Sequence, residues 1–128
     1  MKILGIGVDI VQNTRIKKLI KNKNFIKRTF GNKEIILAKK FSNKTNYFAK
    51  RFAAKESLAK ALGTGFRDGL NLKDIEILND RFGKPYYHNT NKLNKIINNK
   101  YRIKDNNLFL SISDETDYSI SFTIISKN

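Results

Sequence analysis

The stretch Arg51-Phe-Ala-Ala-Lys-Glu-Ser-Leu-Ala-Lys-Ala-Leu-Gly-Thr-Gly65 decides the fold, because it forms most of the longest predicted helix. The apolar spacing predicts this helix over roughly 46–62, and Gly63 stands where a left-handed C-terminal cap is expected. Side chains four residues apart lie on one helical face, which turns gradually round the axis. This face carries Phe48, Phe52, Glu56 and Lys60. Glu56 therefore lies between aromatic packing residues and a cation.

The apolar N-terminal segment Met1-Lys-Ile-Leu-Gly-Ile-Gly-Val-Asp-Ile-Val11 carries a second carboxylate, Asp9. Residues 2–10 are rich in β-branched side chains and are predicted to form a buried strand. A carboxylate among apolar neighbours is costly to bury, and a divalent cation shared with Glu56 would compensate that cost. Metal-assisted chemistry is the interpretation that this favours. Two ordinary alternatives stay open, a satisfied strand-end aspartate and a solvated i,i+4 pair between Glu56 and Lys60.

Two glycine pairs have more than one interpretation. Gly5-Ile-Gly7 does not fit a dinucleotide-binding fingerprint, because Ile10 occupies the third glycine position and no helix opens immediately. We expect these two glycines to allow another backbone to approach closely. Gly63-Thr-Gly65 is typical of a helix stop, although backbone amides beside Lys60 could also bind phosphate.

The remaining pattern predicts an α+β fold in the order β-α-α-α-β-β-α-β-β, as one domain over residues 1–128. Asn13 or Thr14 can cap a short helix, and a second helical run follows Asn32. Further along, the pattern predicts strands near 72–77 and 85–88 around a turn at 80–83, then a helix with Leu93, Ile96 and Ile97.

The C-terminal segment alternates and predicts an antiparallel hairpin around the turn Asp114-Glu-Thr-Asp117. We expect the apolar residues of both of its strands to face the same way. They are Leu108, Leu110 and Ile112 in the first strand and Tyr118, Ile120, Phe122 and Ile124 in the second.

Composition limits the class of protein. The 128 residues include no cysteine, which excludes disulfides and thiolate sites, and no stretch approaches the about 20 apolar residues of a membrane span. A cytoplasmic protein is expected, with neither secretion nor membrane insertion. The formal net charge of +15 fits an acidic partner, and it equally fits a surface coated with lysines as in an A/T-biased genome.

Four segments, in this order and at these separations, resemble the bacterial holo-acyl-carrier-protein synthases, the small single-repeat branch of the 4′-phosphopantetheinyl transferases. The resemblance extends over nearly the whole chain, and the Lys-Glu-Ser-x-x-Lys-Ala-Leu-Gly-Thr-Gly segment is its most specific part. The segments are Gly5 to Ile10, Arg51 to Gly65, Gly83-Lys84-Pro85-Tyr86 and Leu110-Ser-Ile-Ser113.

This resemblance implies transfer of 4′-phosphopantetheine from coenzyme A to a serine of apo-acyl carrier protein, with release of adenosine 3′,5′-bisphosphate. It implies that Asp9 and Glu56 bind Mg²⁺, with pyrophosphate and water completing the shell. One or two carboxylates plus phosphate oxygens suffice for this ion. Glu56, directly or through a water molecule, is the candidate base, and Lys60 is expected to neutralise coenzyme phosphates.

The resemblance also implies contacts beyond the reacting groups. The further candidates for binding the coenzyme are Lys44, Arg51, Gly63, Gly65 and Lys84. Arg15 matches a position that contacts the carrier protein, and four more cations could extend the patch toward an acidic helix: Lys17, Lys18, Lys21 and Arg28. A homotrimer with sites between subunits is expected from the resemblance alone.

One residue departs from the family pattern. The family usually has histidine after Ser-Ile-Ser/Thr, whereas this chain has Asp114. An ionised aspartate repels phosphate unless a cation intervenes, so a histidine-dependent role is in doubt. A degenerate, non-catalytic member is therefore one alternative, although Asp9, Glu56 and Lys60 are all retained.

The alternative from another class is a small basic nucleic-acid-binding protein, which the charge, the nine Phe and the five Tyr would suit. The aromatic residues fall largely at positions predicted to face the core, and the chain carries no standard nucleic-acid motif. Salt-sensitive binding of unrelated DNA, compared with magnesium-dependent binding of coenzyme A, separates the two hypotheses.

Overall fold

The structure is a computed structural model that describes residues 1–63 and 69–128. Its elements in chain order are β1 (Lys2–Gln12), α1 (Asn13–Leu19), α2 (Lys23–Thr29), α3 (Asn32–Ala38), α4 (Lys44–Leu62), a 3₁₀ turn (Leu72–Asp74), β2 (Glu76–Asn79), β3 (Pro85–His88), α5 (Asn91–Tyr101), β4 (Asn107–Asp114) and β5 (Tyr118–Lys127). The predicted α+β class and element order are confirmed. One additional short helix, α2, lies between the first two predicted helices.

The differences in element bounds have local causes. Helix α2 forms because the Asn22 side chain accepts hydrogen bonds from the backbone N–H groups of Asn24 and Phe25, at 2.9 and 3.4 Å. The strand predicted near 72–77 is shorter than expected, since its first residues form the 3₁₀ turn. Asn13 does not cap α1, because its side chain instead donates to the carbonyl groups of Glu115 and Thr116.

Helix α4 confirms the predicted long helix and begins two residues earlier than expected. The Asn43 side chain caps its first turn, accepting from the Asn46 N–H at 3.0 Å, and Gly63 ends it with φ of 76°. The helix packs on the sheet and on the short helices, so most of its side chains are buried. The face predicted from the sequence passes from buried Phe48 to exposed Lys60.

The main sheet has the strand order β1-β5-β4 with antiparallel pairing, and β2 and β3 form a separate antiparallel pair. Gly5 and Gly7 of β1 face α4. A Cβ atom on Gly7 would lie 2.6 Å from the backbone nitrogen of Ala61 and closer still to the Ser57 carbonyl oxygen. A Cβ atom on Gly5 would lie 3.1 Å from the Ala61 carbonyl carbon. The expected close approach of another backbone is therefore confirmed, and that backbone is α4.

Replacing Gly7 by Ala should lower the free energy of unfolding by about 3 kcal/mol or more, because the colliding atoms belong to backbone that cannot rotate away. Chemical denaturation of the variant and of the wild type measures this difference. Gln12→Ala, on an exposed position of the same strand, is the control and should change it by less than about 0.5 kcal/mol. A Gly7→Ala protein as stable as this control would contradict the close packing.

The predicted facing of the hairpin is wrong in its second strand. Leu110 and Ile112 of β4 lie opposite Thr123 and Ser121 of β5, so polar β5 side chains share the face that packs on α4. Both hydroxyls are buried without loss because each forms a hydrogen bond with Ser57: the Ser57 Oγ atom lies 2.8 Å from Ser121 Oγ and 2.6 Å from Thr123 Oγ1. Alternation reveals which residues share a face, but not which face is covered.

The opposite face of the main sheet is apolar and largely exposed. The strand predicted to be buried, β1, is thus buried on one side only: Ile6, Val8 and Ile10 are 60%, 50% and 61% exposed. We call the following set the outer sheet face: Ile6, Val8, Ile10, Phe109, Ile120 and Phe122. Such a contiguous apolar surface is typical of a protein-protein contact.

A fully buried ion pair joins α3, α4 and β2. Lys55 Nζ lies 2.5 Å from Glu34 Oε1, and the same carboxylate accepts from the N–H groups of Gly31 and Ile77 at 3.0 and 3.1 Å. Lys55 also donates to the carbonyl groups of Leu72 and Ile75. Burial raises the pKa of Glu34 and lowers the pKa of Lys55, yet the dense bonding keeps the pair satisfied. These bonds hold α3 and β2 against α4 at Lys55, which directly precedes Glu56 in the chain.

Within the described residues, none of the helices has the length and apolar character needed to cross a membrane.

Candidate active site

Strand β1 and helix α4 bring Asp9 and Glu56 together beside Lys60. The Lys60 Nζ atom lies 3.2 Å from Asp9 Oδ1, with the lysine side chain 58% exposed and that of Asp9 only 16% exposed. The close approach at Gly5 and Gly7 is what places this part of β1 against the helix. Lys60 of α4 therefore pairs with Asp9 of β1. The alternative of a solvated pair between Lys60 and Glu56 within the helix did not include this contact.

Burial and a neighbouring carboxylate disfavour the negative charge of Glu56. The pKa of the Glu56 carboxyl is raised, chiefly by burial and then by the neighbouring Asp9 charge, while Lys60 and Arg15 oppose the rise. Two carboxylates that repel each other in a half-buried position favour binding of a cation. The two carboxylates thus lie close enough to influence each other, as the hypothesis of a shared ion requires.

The donor set fits a hard divalent cation. Carboxylate oxygens are the ligands that Mg²⁺ prefers, and this ion usually keeps several water or phosphate oxygens. Among residues 1–63 and 69–128, no group of three or more Asp, Glu, His or Cys side chains could hold a metal. Asp9 and Glu56 would therefore need oxygens from water and substrate to complete a shell.

A row of two aromatic rings with an arginine at each end leads away from this site. The Arg15 guanidinium lies 5.8 Å from the centre of the Phe52 ring, which is 6.1 Å from that of Phe25. The Arg28 guanidinium lies 5.7 Å from the Phe25 ring. We call these four residues the arginine row; it joins α1, α2 and α4 and starts beside Glu56. The aromatic rings position both arginines at the surface.

The remaining predicted carrier-binding cations lie on or just after α1. Lys17 and Lys18 are exposed in its last turn, and Lys21 is exposed immediately after it, while Ile16 is completely buried. Helix α1 therefore has a buried apolar side and an exposed basic side.

Arg51 acts through other groups. It is only 3% exposed, its guanidinium lies 3.6 Å from the centre of the Tyr47 ring, and it donates to the Asn79 side-chain oxygen. Asn79 in turn donates to the Gly83 carbonyl at 2.9 Å. This chain of bonds fixes the β2–β3 turn, which presents the exposed Lys84. Arg51 is thus placed to position the turn, and direct phosphate binding would require its side chain to move.

A cavity of about 180 Å³ lies beside this turn and is lined in part by Phe41, Arg51, Pro85 and Asp114. Asp114 accepts a hydrogen bond of 2.5 Å from the Asn46 side chain, which fixes the carboxylate at the cavity edge. Lys50 lines the same cavity, so a second cation besides Arg51 offsets the negative charge of Asp114.

The last three predicted coenzyme contacts have different outcomes. The Lys44 amino group donates to the carbonyl groups of Ala38 and Phe41, so it closes the end of α3 in this structure. Gly63 is the helix cap described above. Gly65 lies outside the described residues.

Asn46 and Asn79 were missed by the sequence reasoning. Neither belongs to a periodic pattern, and each acquires its role only through a partner distant in the chain, Asp114 and Arg51 respectively. The sequence does contain one indication for Asn79, because this residue directly precedes the predicted turn at 80–83.

Comparison with known proteins identifies the family. Residues 5–123 match the family model of the 4′-phosphopantetheinyl transferase superfamily. The chain is 57% identical over 127 residues to the holo-[acyl-carrier-protein] synthase of Pelagibacter ubique, covering 99% of both chains.

Solved structures are similar over the same extent. The holo-[acyl-carrier-protein] synthase of Neisseria meningitidis matches with a TM-score of 0.86 and 37% identity, covering 98% of this chain and 99% of that one. The Bacillus anthracis synthase in complex with CoA (3′,5′-ADP) matches with a TM-score of 0.80 and 31% identity, covering 98% and 97%. The chain is therefore an enzyme that belongs to the 4′-phosphopantetheinyl transferase superfamily.

Proposed function

We propose that the chain is a magnesium-dependent holo-acyl-carrier-protein synthase. In this reaction the Oγ atom of a carrier serine attacks the phosphorus that bears pantetheine in coenzyme A, and the bond to the other phosphate of the pyrophosphate breaks. The serine loses its proton, and adenosine 3′,5′-bisphosphate leaves. The observation that carries the proposal is the convergence of Asp9, Glu56 and Lys60 from two elements. The names of the similar proteins support it.

Each of the three side chains has a distinct task. Asp9 and Glu56 would hold Mg²⁺, which when bound supplies positive charge to the phosphoryl group and to its leaving group. Lys60, being largely exposed, neutralises phosphate oxygens from the solvent side. Glu56, directly or through a water molecule, is also our candidate to accept the serine proton.

The nucleotide end of coenzyme A is assigned to the cavity beside the β2–β3 turn. Lys84 on that turn contacts phosphate, while Arg51 keeps the turn in place. Lys44 contributes if its side chain leaves the carbonyl groups that it now contacts. Gly63 and Gly65 remain our candidates for backbone contacts with phosphate, and the Gly63 N–H would have to leave the carbonyl groups of Ala59 and Lys60 that it now contacts.

The site is proposed to lie between the subunits of a homotrimer. Ile10 and Ile120 of the outer sheet face line one pocket together with Asp114, so the nucleotide cavity adjoins the edge of that face. A neighbour packed on the outer sheet face would therefore contribute groups directly beside the cavity. The exposed apolar area gives the physical reason for assembly.

The carrier protein docks on the cations that lead to Glu56. These are Arg15, Lys17, Lys18, Lys21 and Arg28. Attraction between this patch and an acidic carrier mainly raises the rate of encounter and weakens with salt. We infer a role in fatty acid biosynthesis in the cytoplasm.

The test is to incubate the purified protein with a bacterial apo-acyl carrier protein, coenzyme A and magnesium, and to follow the intact mass of the carrier. We expect the mass of one phosphopantetheine to be added, and the addition to stop when a chelator removes the metal. Restoring magnesium in excess should restore transfer. A folded protein that modifies none of several apo-carriers would contradict the proposal and favour a binding role.

A further inference from the structure

An apolar groove with a basic rim lies between α2 and α3. It has a volume of about 560 Å³, and we call it the lysine-rimmed groove; its lining residues are Lys23, Ile26, Lys27, Asn32 and Ile35. Ile26 and Ile35 are half-buried and pack against the core, so they form a firm floor. Both lysines and Asn32 are exposed.

The charges around the groove select an acidic occupant. No carboxylate contributes to its described lining. The adjoining pocket contains Asp74 and Glu76, but these are already engaged: Asp74 Oδ2 lies 2.8 Å from Lys92 Nζ, and Glu76 accepts from the Lys33 N–H at 3.1 Å. Glu76 keeps its charge, but the two pockets together carry four lysines against it and the paired Asp74: Lys23, Lys27, Lys33 and Lys73. A carboxylate brought to the rim would therefore meet net positive charge.

The groove adjoins the arginine row. Helix α2 carries Phe25 and Arg28, which belong to that row, and the next positions on the same short helix, Ile26 and Lys27, line the groove. A partner that lies along the row from Arg15 therefore reaches the groove without leaving the surface of α2.

We propose that the lysine-rimmed groove is a second anchor for the carrier protein. It receives an apolar side chain flanked by carboxylates on an acidic amphipathic helix of the carrier. This inference rests on the proposed function for the identity of the partner. The chemistry of the groove favours a protein over a nucleic acid, because its floor is aliphatic and its described lining has no aromatic ring on which a base could stack.

A single cysteine provides a direct readout, because the chain has none of its own. Asn32→Cys carrying an environment-sensitive fluorophore should shift its emission when a bacterial apo-acyl carrier protein is added. Lys95→Cys, exposed on α5, is the matched label and should not respond. An unresponsive probe at Asn32 under conditions where the carrier binds would overturn the inference, as would a probe that responds to random duplex DNA but not to the carrier.

Charge reversal gives an independent measurement. Lys23→Glu combined with Lys27→Glu should raise KM for the carrier about tenfold and leave KM for coenzyme A unchanged. Lys95→Glu combined with Lys104→Glu makes the same change in net charge at exposed positions elsewhere and should have a much smaller effect. Equal effects of the two pairs would show a general dependence on charge and overturn the anchor.

The two readouts also separate this inference from the reaction itself. An emission shift without any transfer to the carrier would count against the proposed reaction and support the groove. Transfer without a shift would support the reaction and count against the groove.

Discussion

Glu56→Gln should lower kcat for phosphopantetheine transfer by at least about a thousandfold while the protein stays folded. A bound cation contributes several kcal/mol to stabilising charge at a reacting phosphoryl group, and about 4 kcal/mol corresponds to three powers of ten in rate. Glutamine keeps the shape of the side chain but removes the charge that would hold the ion and the group that would accept the proton. Steady-state kinetics with carrier and coenzyme A measure the loss.

The same substitution should leave stability unchanged or increase it. The raised pKa of Glu56 means that its charged form is disfavoured in the folded protein relative to the unfolded chain. Removing the charge therefore relieves burial and the repulsion from Asp9. In thermal unfolding without magnesium, the Glu56→Gln variant should have a Tm equal to or higher than that of the wild type. This is expected where a residue needed for function lowers stability.

Asp9→Asn should reduce transfer similarly, and Asp105→Asn, an exposed aspartate in the loop before β4, should not. A loss of less than about tenfold in Glu56→Gln would refute the assigned role of this carboxylate. A loss accompanied by a strongly reduced Tm would instead indicate a structural role.

Phe122→Asp should convert the proposed trimer into single chains and reduce kcat/KM at least about a hundredfold. Phe122 lies at the centre of the main sheet, opposite Val8, and is 42% exposed in the single chain. An aspartate there costs little in the monomer, but it would be desolvated without a partner once a neighbour covers the outer sheet face. Light scattering after size-exclusion chromatography measures the mass in solution.

Activity should fall together with assembly, because the proposed site takes groups from two subunits. Phe82→Asp is the control, since Phe82 is 81% exposed in the β2–β3 turn and lies outside the outer sheet face. This control should keep the mass of the wild type. A Phe122→Asp protein that stays assembled would show that subunits associate through another surface, and a fully active single chain would contradict the shared site.

The outer sheet face is exposed because the polar side of β5 is the side that packs on the core. Ser119, Ser121 and Thr123 can face inward only because α1, α4 and β3 provide partners, among them Asn13, which accepts from Ser119 at 2.8 Å, and Tyr87, whose hydroxyl lies 2.7 Å from Thr123 Oγ1. Tyr118, Ile120 and Phe122, which alternate with them, are then necessarily turned outward. The fold of the single chain thus leaves the apolar outer sheet face available for association.

The sequence by itself determined the elements with strong local signals. Helix α4 could be predicted because its spacing is regular and Gly63 ends it, and the glycines of β1 signalled close packing before its partner was known. The resemblance indicated Asp9, Glu56 and Lys60 as a group, since the spacing of the matching segments is specific.

Only the tertiary structure decided which faces are covered and which side chains meet across the fold. The ion pair of Lys55 with Glu34, the use of Arg51 to hold Asn79, and the pairing of Lys60 with Asp9 all join residues on different elements. Local propensity carries no information on such contacts, because their free energy arises from desolvation and bonding that exist only after the chain has packed. For the same reason the sequence could predict alternation in β5 but not that its polar side would be buried.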